Sequence, residues 1–450
     1  MNLSENNWNS RIGFILAAAG SAIGLGAVWR FPYMTAEHGG GAFLFVFLLF
    51  TILIGLPLLI SEFVIGRASG RNPIDGFEYL SGKKSLRLFG WIGHFGTMLL
   101  LSFYSVIGGW ILIYLLIALL DLLNLYTVND YTAMLVDVIS NPVYVIAAQG
   151  IFIFITAFVV AQGIQKGLER ASKIMMPLLF ILFLFIIIRS LSLPNAMEGV
   201  KYFLTPDFSE LSANGVMFAL GQSFFALSVG ITQMMTYASY LKADQNLPKS
   251  ASYIVLMNIA VSVMVGLAIF PAIASFGMES VEGPGLVFVV LPEIFNAIPF
   301  GIIFYLMFLL AFLFATLTSA FSMIEINVAN TVKGDQSKRK KTTYIYAVIV
   351  FAIGIPSALS EGLLNDFQFF AGTIFDNVDF LVSNILLPAG ALFSSIFVGY
   401  ILDKRIAMEQ LNVTEGSKSM LVFKGWIFML RYILPAIILF VFIMNIAGVF

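Results

Sequence analysis

Gly20-Ser21-Ala22-Ile23-Gly24-Leu25-Gly26-Ala27-Val28-Trp29-Arg30-Phe31-Pro32-Tyr33 sits between two apolar half-helices, 12–19 and 28–36, in a segment of membrane-spanning length. Gly20, Gly24 and Gly26 each lower helix propensity by about 1 kcal/mol. The stretch is therefore predicted to open across 22–26 and free backbone amides and carbonyls at bilayer depth. Such groups are tolerated there only where they line a cavity or hold a ligand. A second reading stands beside it: a small-residue face that lets two helices approach closely. On these residues alone both remain open.

Composition decides the class. Of 450 residues, 60% are hydrophobic and only 11% charged, and the mean hydropathy is +0.95, as in polytopic membrane proteins. No soluble partner chemistry follows from the net charge of −1, and no nucleic-acid partner is expected. The polar residues 1–9 and the long first apolar segment do not read as a cleavable signal, so the N-terminus is expected to be retained. With no cysteine there is no disulfide, thiolate metal site or thiol catalysis. The two histidines, His38 and His94, are far apart in sequence, argue against a histidine metal site and read as interfacial residues.

Eleven apolar spans are predicted near 12–36, 42–69, 88–122, 142–161, 167–191, 214–241, 250–277, 299–332, 342–358, 377–402 and 425–447. The segment 284–297, with Pro284, Pro292 and Pro299, reads as a re-entrant or capping loop with a short helix on the outer side. Lys and Arg favour cytoplasmic loops. An N-inside topology leaves only Arg30, Arg189 and Lys201 of 24 off the cytoplasmic side. The odd span count then puts the C-terminus outside, in a multi-pass protein of the cell membrane surrounded by lipid.

An inverted repeat fits this count, because transporters place their sites where interrupted helices of two related bundles meet. Five spans after the first break, span six carries Gly221-Gln222-Ser223-Phe224-Phe225-Ala226-Leu227-Ser228-Val229-Gly230-Ile231, apolar with small and polar residues at its middle. The chain is thus expected to be a single all-α transmembrane domain over 1–450, with repeat one near 12–192, repeat two near 214–402 and an extra helix near 425–447. The matched interruption, expected at 226–230, favours the opened-helix reading of 20–26.

These residues resemble the neurotransmitter:sodium symporter family. The resemblance rests on Gly20, Gly24-Leu25-Gly26, Trp29-Arg30-Phe31-Pro32-Tyr33, Glu37 and Gly39-Gly40-Gly41-Ala42-Phe43 in the first segment. It continues in Gly221-Gln222-Ser223-Phe224-Phe225 and Thr236-Tyr237-Ala238-Ser239-Tyr240, in 315–319, and in Phe375-Asp376 with Asp379. It covers nearly the whole chain, and eleven spans are similar to several bacterial amino-acid-transporting members. The resemblance implies that family's architecture, a 5+5 inverted repeat with broken helices 1 and 6 plus one extra helix.

A zwitterionic amino acid at mid-membrane needs both of its charges satisfied. Amides freed at Gly24, Leu25 and Gly26, aided by the half-helix dipole, suit a carboxylate, with the Tyr104 hydroxyl as a further donor. The resemblance implies that carbonyls of Ala22, Phe225 and Ala226 and the Ser228 hydroxyl hold the ammonium. The monoamine-transporting branch has an aspartate where Gly24 stands, so this substrate is expected to bring its own carboxylate. Leu100, Phe225, Ile231, Ser319 and Met323 form an uncharged remainder that suits a neutral, hydrophobic L-amino acid.

Sodium is a hard cation that prefers oxygen ligands. Ala315, Thr318, Ser319, Ser322 and Met323 share one face of span eight. By resemblance, the carbonyls of Gly20, Ile23 and Ala315 with the hydroxyls of Thr318 and Ser319 form the second sodium site. The first site departs from the family: Ala27 stands for an asparagine and Ala226 for a hydroxyl residue, leaving Ala22, Ala226 and Asn258 with the substrate carboxylate. Either water or Ser21 completes that shell or coupling is closer to one Na+ than two. Gln222, Asn258 and Ser262 match the chloride site of animal members, but Phe47 replaces a tyrosine and Ala226 a serine, so strong Cl− dependence is not expected.

Intramembrane charges mark function by default. Arg30 and Asp379 resemble the family's outer gate pair, with Tyr104 and Phe225 as the lid below. At the inner side the family pairs an N-terminal arginine with an aspartate after span eight; here Glu5 and Lys333 occupy those positions, predicting a latch of exchanged polarity. Glu62 and Glu325 read as hydrogen-bonding acids of the bundle. Gly167 and Pro177 resemble the span-five segment that unwinds toward the second sodium site, against the plainer reading of a proline kink. The expectation is a sodium-coupled amino-acid symporter working by alternating access, the alternative an ion channel or substrate-sensing receptor on the same broken helices. An enzyme is disfavoured, because no paired catalytic carboxylates or nucleophile with base fall at one depth.

Overall fold

Inside a bilayer every backbone polar group has to pair within the protein, so long apolar runs become helices. The computed structural model describes residues 7–277 and 285–446. Among them, nine helices are long and apolar enough to cross a membrane: Gly41–Ser69, Lys84–Leu122, Pro142–Ala161, Ile164–Leu191, Leu247–Phe276, Gly301–Val332, Gln336–Ala358, Ile374–Ile401 and Lys418–Met444. These are spans two to five and seven to eleven. Span one is the bent pair Arg11–Ala22 and Gly26–Glu37, whose halves meet at 52°. Span six is the pair Ala213–Ala226 and Gln233–Ser239, neither of spanning length alone.

The ends of these helices are set by local chemistry. Ser10, Asn72, Asn141 and Asn246 place side-chain oxygens on amides of the following turn, satisfying donors that a helix start leaves unpaired. Thr373 and Asp376 form a reciprocal capping box at the start of span ten. Between the spans lie short helices, among them Pro73–Ser81, Tyr131–Ser140 and Ala196–Leu204. The segment expected to cap the bundle does form a short helix, Leu286–Asn296, and its Phe288 packs against Trp110 and Tyr114 of span three. Pro284 lies outside the described residues.

Two expectations need correction. The break in span six falls at 227–232 rather than 226–230, because Ser228 (φ 51°), Gly230 (φ 107°) and Thr232 (φ 63°) all adopt the left-handed region. His38 and His94 are buried rather than interfacial, 8% and 4% exposed. His38 stacks between Phe43 and Phe218; His94 Nδ1 and Nε2 each lie 3.3 Å from a polar neighbour, Asn330 and Tyr346. Aromatic contacts and hydrogen bonds compensate the desolvation that would otherwise keep such rings at the interface.

Span eight packs against spans three and five, and span one against spans five, seven and eight. Both breaks are thereby held inside the bundle, where their unpaired backbone groups find side-chain partners.

Candidate functional site

At the first break the backbone leaves the helix at Ile23 (φ −84°, ψ 87°). The freed Leu25 N–H donates to the Tyr104 hydroxyl of span three at 3.2 Å. A methyl group at Gly24 would stand 2.5 Å from that hydroxyl, and one at Gly20 2.9 Å from Thr318 Cβ. The glycines thus serve both sequence readings: they loosen the helix and let spans three and eight come close.

A narrow, nearly closed cavity lies at the two breaks. Its walls are Ala22, Gly24, Leu25, Gly26, Leu100, Tyr104, Phe225, Ser228, Ile231, Ser319 and Met323, together with Gln233 and Leu387. Of the residues the sequence assigned to a substrate, only Ala226 is not in the wall; its carbonyl turns instead to Asn258. Among the described residues, no charged side chain lines the space. At one end, amides and the Tyr104 hydroxyl offer donors suited to a carboxylate. The Ser228 hydroxyl beside them donates to Ser21 O at 2.9 Å.

Next to the cavity, oxygens from spans one and eight converge. The Gly20 carbonyl accepts from Thr318 Oγ1 at 2.9 Å and from Ser319 Oγ at 3.1 Å, and Ser319 Oγ also reaches Ser21 O at 2.8 Å. Thr318 Oγ1 lies 3.1 Å from Ala315 O. This is a neutral, all-oxygen set at the mouth of the break, the donor chemistry a hard monovalent cation requires. The other oxygen set differs: Asn258 Nδ2 donates to Ala226 O at 2.7 Å and to Ala22 O at 3.4 Å. Ala27 and Ala226 bring no side-chain oxygen there. Gln222 Nε2 is engaged on Gly26 O at 2.5 Å, while Ser262 Oγ has no hydrogen-bond partner among the described residues.

One side of the cavity is covered by Phe225, over whose ring the Arg30 guanidinium sits at 5.3 Å. Arg30 also bonds Tyr33 and feels the charge of Asp379. Asp379 itself accepts from Ser383 at 2.6 Å, and among the described residues no direct salt bridge joins it to Arg30. The opposite side is closed by Trp8, whose indole donates to Tyr237 O at 2.9 Å, and by the buried ion pair of Arg339 with Glu325. The Tyr240 hydroxyl donates to the same Glu325 at 2.8 Å. Glu62 accepts the Gly230 N–H at 2.7 Å, with the Met234 and Met235 amides also directed at it, so it caps the second half of span six.

The expected latch partner Glu5 lies outside the described residues. Lys333 pairs with Asp75 of Pro73–Ser81 at 2.8 Å, an acid with no sequence signal of its own because it lies in a loop helix 258 residues away. Pro177 stands within the unbroken helix Arg170–Leu191. Gly167 lies in the wide turn Ile164–Glu169, where a methyl group on it would collide with Val159 O.

Gln233, Leu387, Trp8 and Arg339 are the site residues not read from the sequence. Gln233 carried a signal, a polar residue directly after a predicted break. Leu387 and Trp8 carried none, since an apolar residue in a span and an aromatic before one are ordinary there.

The model of the sodium:neurotransmitter symporter family matches residues 5–135 and 134–449. The chain is 49% identical over 443 residues to an uncharacterized sodium-dependent transporter, YhdH, of Bacillus subtilis, covering 98% of each chain. It is 34% identical over 455 residues to an uncharacterized sodium-dependent transporter of Haemophilus influenzae, covering 99% of each. Among solved structures it is similar to MhsT in complex with L-phenylalanine, with a TM-score of 0.90 and 39% identity over 98% of this chain and 99% of that one.

Proposed function

The chain belongs to the sodium:neurotransmitter symporter family, a sodium-dependent membrane transporter and not an enzyme, and from that premise we propose that it carries a neutral, hydrophobic L-amino acid inward with sodium by alternating access. The observation that carries this reading is the pairing of freed span-one amides and the Tyr104 hydroxyl with an otherwise uncharged cavity. The substrate's carboxylate sits at Gly24, Leu25 and Gly26. Its ammonium meets the Ala22, Phe225 and Ala226 carbonyls and the Ser228 hydroxyl. Leu100, Ile231, Ser319 and Met323 enclose its side chain. That a relative of 39% identity holds L-phenylalanine supports an amino acid of this kind.

Sodium is the co-transported ion, held by Gly20, Ile23, Ala315, Thr318 and Ser319. Coupling is closer to one ion than two, because Ala27 and Ala226 bring no side-chain oxygen to the other set and leave it Asn258 with the Ala22 and Ala226 carbonyls. Gln222 is likewise committed to Gly26 O, which favours transport without strong chloride dependence. Arg30 and Asp379, over Phe225, gate the outer path. Lys333 with Asp75, and Glu325 with Arg339, hold the inner one. Gly167 and Pro177 mark the part of span five that loosens to free sodium. The protein lies in the cell membrane with its N-terminus cytoplasmic and its C-terminus outside.

The test is uptake of radiolabelled leucine and phenylalanine by proteoliposomes, with sodium and chloride varied independently. Saturable uptake that requires sodium, rises with its first power and survives replacement of chloride by gluconate is expected. A second-power dependence would restore the first sodium site, and non-saturating flux would mean a channel.

A further inference from the structure

Gln233 opens the second half of span six, is fully buried and lines the cavity. Its amide orientation follows from its neighbour. The Ser322 hydroxyl gives its single proton to the Ser319 carbonyl at 2.6 Å. The Gln233 atom 2.8 Å from Ser322 Oγ is therefore the NH2 group, and Ser322 also accepts from Ser21 Oγ at 2.8 Å. That leaves the other amide atom, Oε1, buried and without a hydrogen-bond partner among the described residues. A buried acceptor of this kind is unfavourable until a donor reaches it. Of the cavity wall around Gln233, Leu100, Ile231, Met323 and Leu387 are apolar, while the hydroxyl of Thr232, next to it in the chain, is buried and likewise without a hydrogen-bond partner among the described residues.

We propose that Gln233 Oε1 is a specificity determinant, accepting a hydrogen bond from a donor carried on an otherwise apolar substrate side chain, an indole N–H or a phenol O–H. This rests on the reading of the cavity as the amino-acid site. The wall offers donors in the Leu25 N–H and the Tyr104 hydroxyl and an unpaired side-chain acceptor in Gln233. A substrate held by its carboxylate thus offers its side chain to Gln233. Satisfying one neutral acceptor is worth about tenfold in affinity. Apolar contacts alone do not separate ligands of one shape, whereas an acceptor left unpaired does.

The experiment measures sodium-dependent equilibrium binding to the purified full chain with two matched pairs. L-tryptophan is compared with 3-(3-benzothienyl)-L-alanine, in which sulfur replaces the ring N–H, and L-tyrosine with L-phenylalanine. The wild type is expected to favour the donor-bearing member of at least one pair about tenfold; the pair that separates identifies indole or phenol as the donor. Gln233→Leu should bring that ratio near one, and Gln233→Glu, which keeps an acceptor, should retain a preference. If Gln233→Leu binds nothing, Gln233→Met carries the same comparison. The inference is overturned if the wild type separates neither pair, which would mean that water serves Oε1, or if the ratio survives in Gln233→Leu. Absence of sodium-dependent binding for all four ligands would instead overturn the amino-acid reading beneath it.

Discussion

Glu169 of span five accepts the Ser10 hydroxyl at the start of span one at 2.8 Å, and the Asn9 N–H at the same distance. Lys173 completes the arrangement at 2.6 Å from Glu169. The wide turn Ile164–Glu169 thus anchors the helix that leads to the first break. Pro177, further along the same span, removes a ladder bond, and its neighbour Met176 has its sulfur 3.1 Å from where a Gly20 methyl group would stand. Loosening span five would therefore be felt at both the anchor and the oxygen set. Pro177→Ala is expected to stiffen the span and lower turnover several-fold with slower sodium release, read by pre-steady-state efflux. Unchanged turnover would leave the proline as a simple kink.

Thr318→Val keeps shape and removes one of the hydroxyls that converge on Gly20 O. The sodium concentration for half-maximal uptake should rise about tenfold or more, since one neutral oxygen ligand is lost. Thr316→Val is the control: its buried hydroxyl is back-bonded to Phe312 O at 2.7 Å, away from the oxygen set. A comparable sodium shift in both variants would remove Thr318 from the site.

Spans were legible because about 20 apolar residues in a row leave a chain little choice, and the first break because Gly20, Gly24 and Gly26 fall within two turns. The second break was legible in outline only. Ser228 and Thr232 carry Cβ atoms that normally disfavour positive φ, and the Glu62 carboxylate that holds the Gly230 amide comes from span two. One charge partner was not legible: Lys333 pairs with Asp75, and spacing along a chain says nothing about which loop helix folds beneath a span end. The same limit hid Gln233, whose unpaired oxygen is defined only once Ser322 has been brought to its other end.

Asp75 also sets a pH expectation. Burial raises its carboxyl, but the hydrogen bonds from Asn72 and Lys333 and the charges of Lys333 and Arg87 outweigh this and hold it below the ordinary carboxylate value. A depressed folded-state pKa contributes stability above the unfolded value of about 3.9 and loses it as pH falls through the folded one. The Asp75–Lys333 pair should accordingly persist from pH 8 to 5. Lowering the pH over that window should leave the labelling rate of a single cysteine introduced on the inner side of this cysteine-free chain unchanged, whereas Lys333→Glu should raise it and Asp75→Lys with Lys333→Glu should restore it. The pair is half-exposed at Lys333, so the stability change should stay within about 1 kcal/mol. No rescue by the double variant would dissolve the pairing.

Arg339 and Glu325 make the contrasting case, because both are buried, 4% and 0% exposed. Arg339 Nε additionally donates to Val160 O at 3.1 Å, and the Tyr240 hydroxyl reaches Glu325 from span six. Desolvation of two charges offsets much of their attraction, yet removing one alone leaves the other without a counter-charge. Glu325→Leu should therefore destabilise the protein by about 3–5 kcal/mol, while Glu325→Leu with Arg339→Met should be near neutral. The two variants separate stability from gating. With Glu325 absent, the Tyr240 hydroxyl loses its acceptor and span six its tie to span eight at the inner side. The stable double variant should thus still show faster inner-side labelling than wild type at equal melting temperature. Equal labelling rates would reduce the pair to a structural contact with no part in closing the inner path.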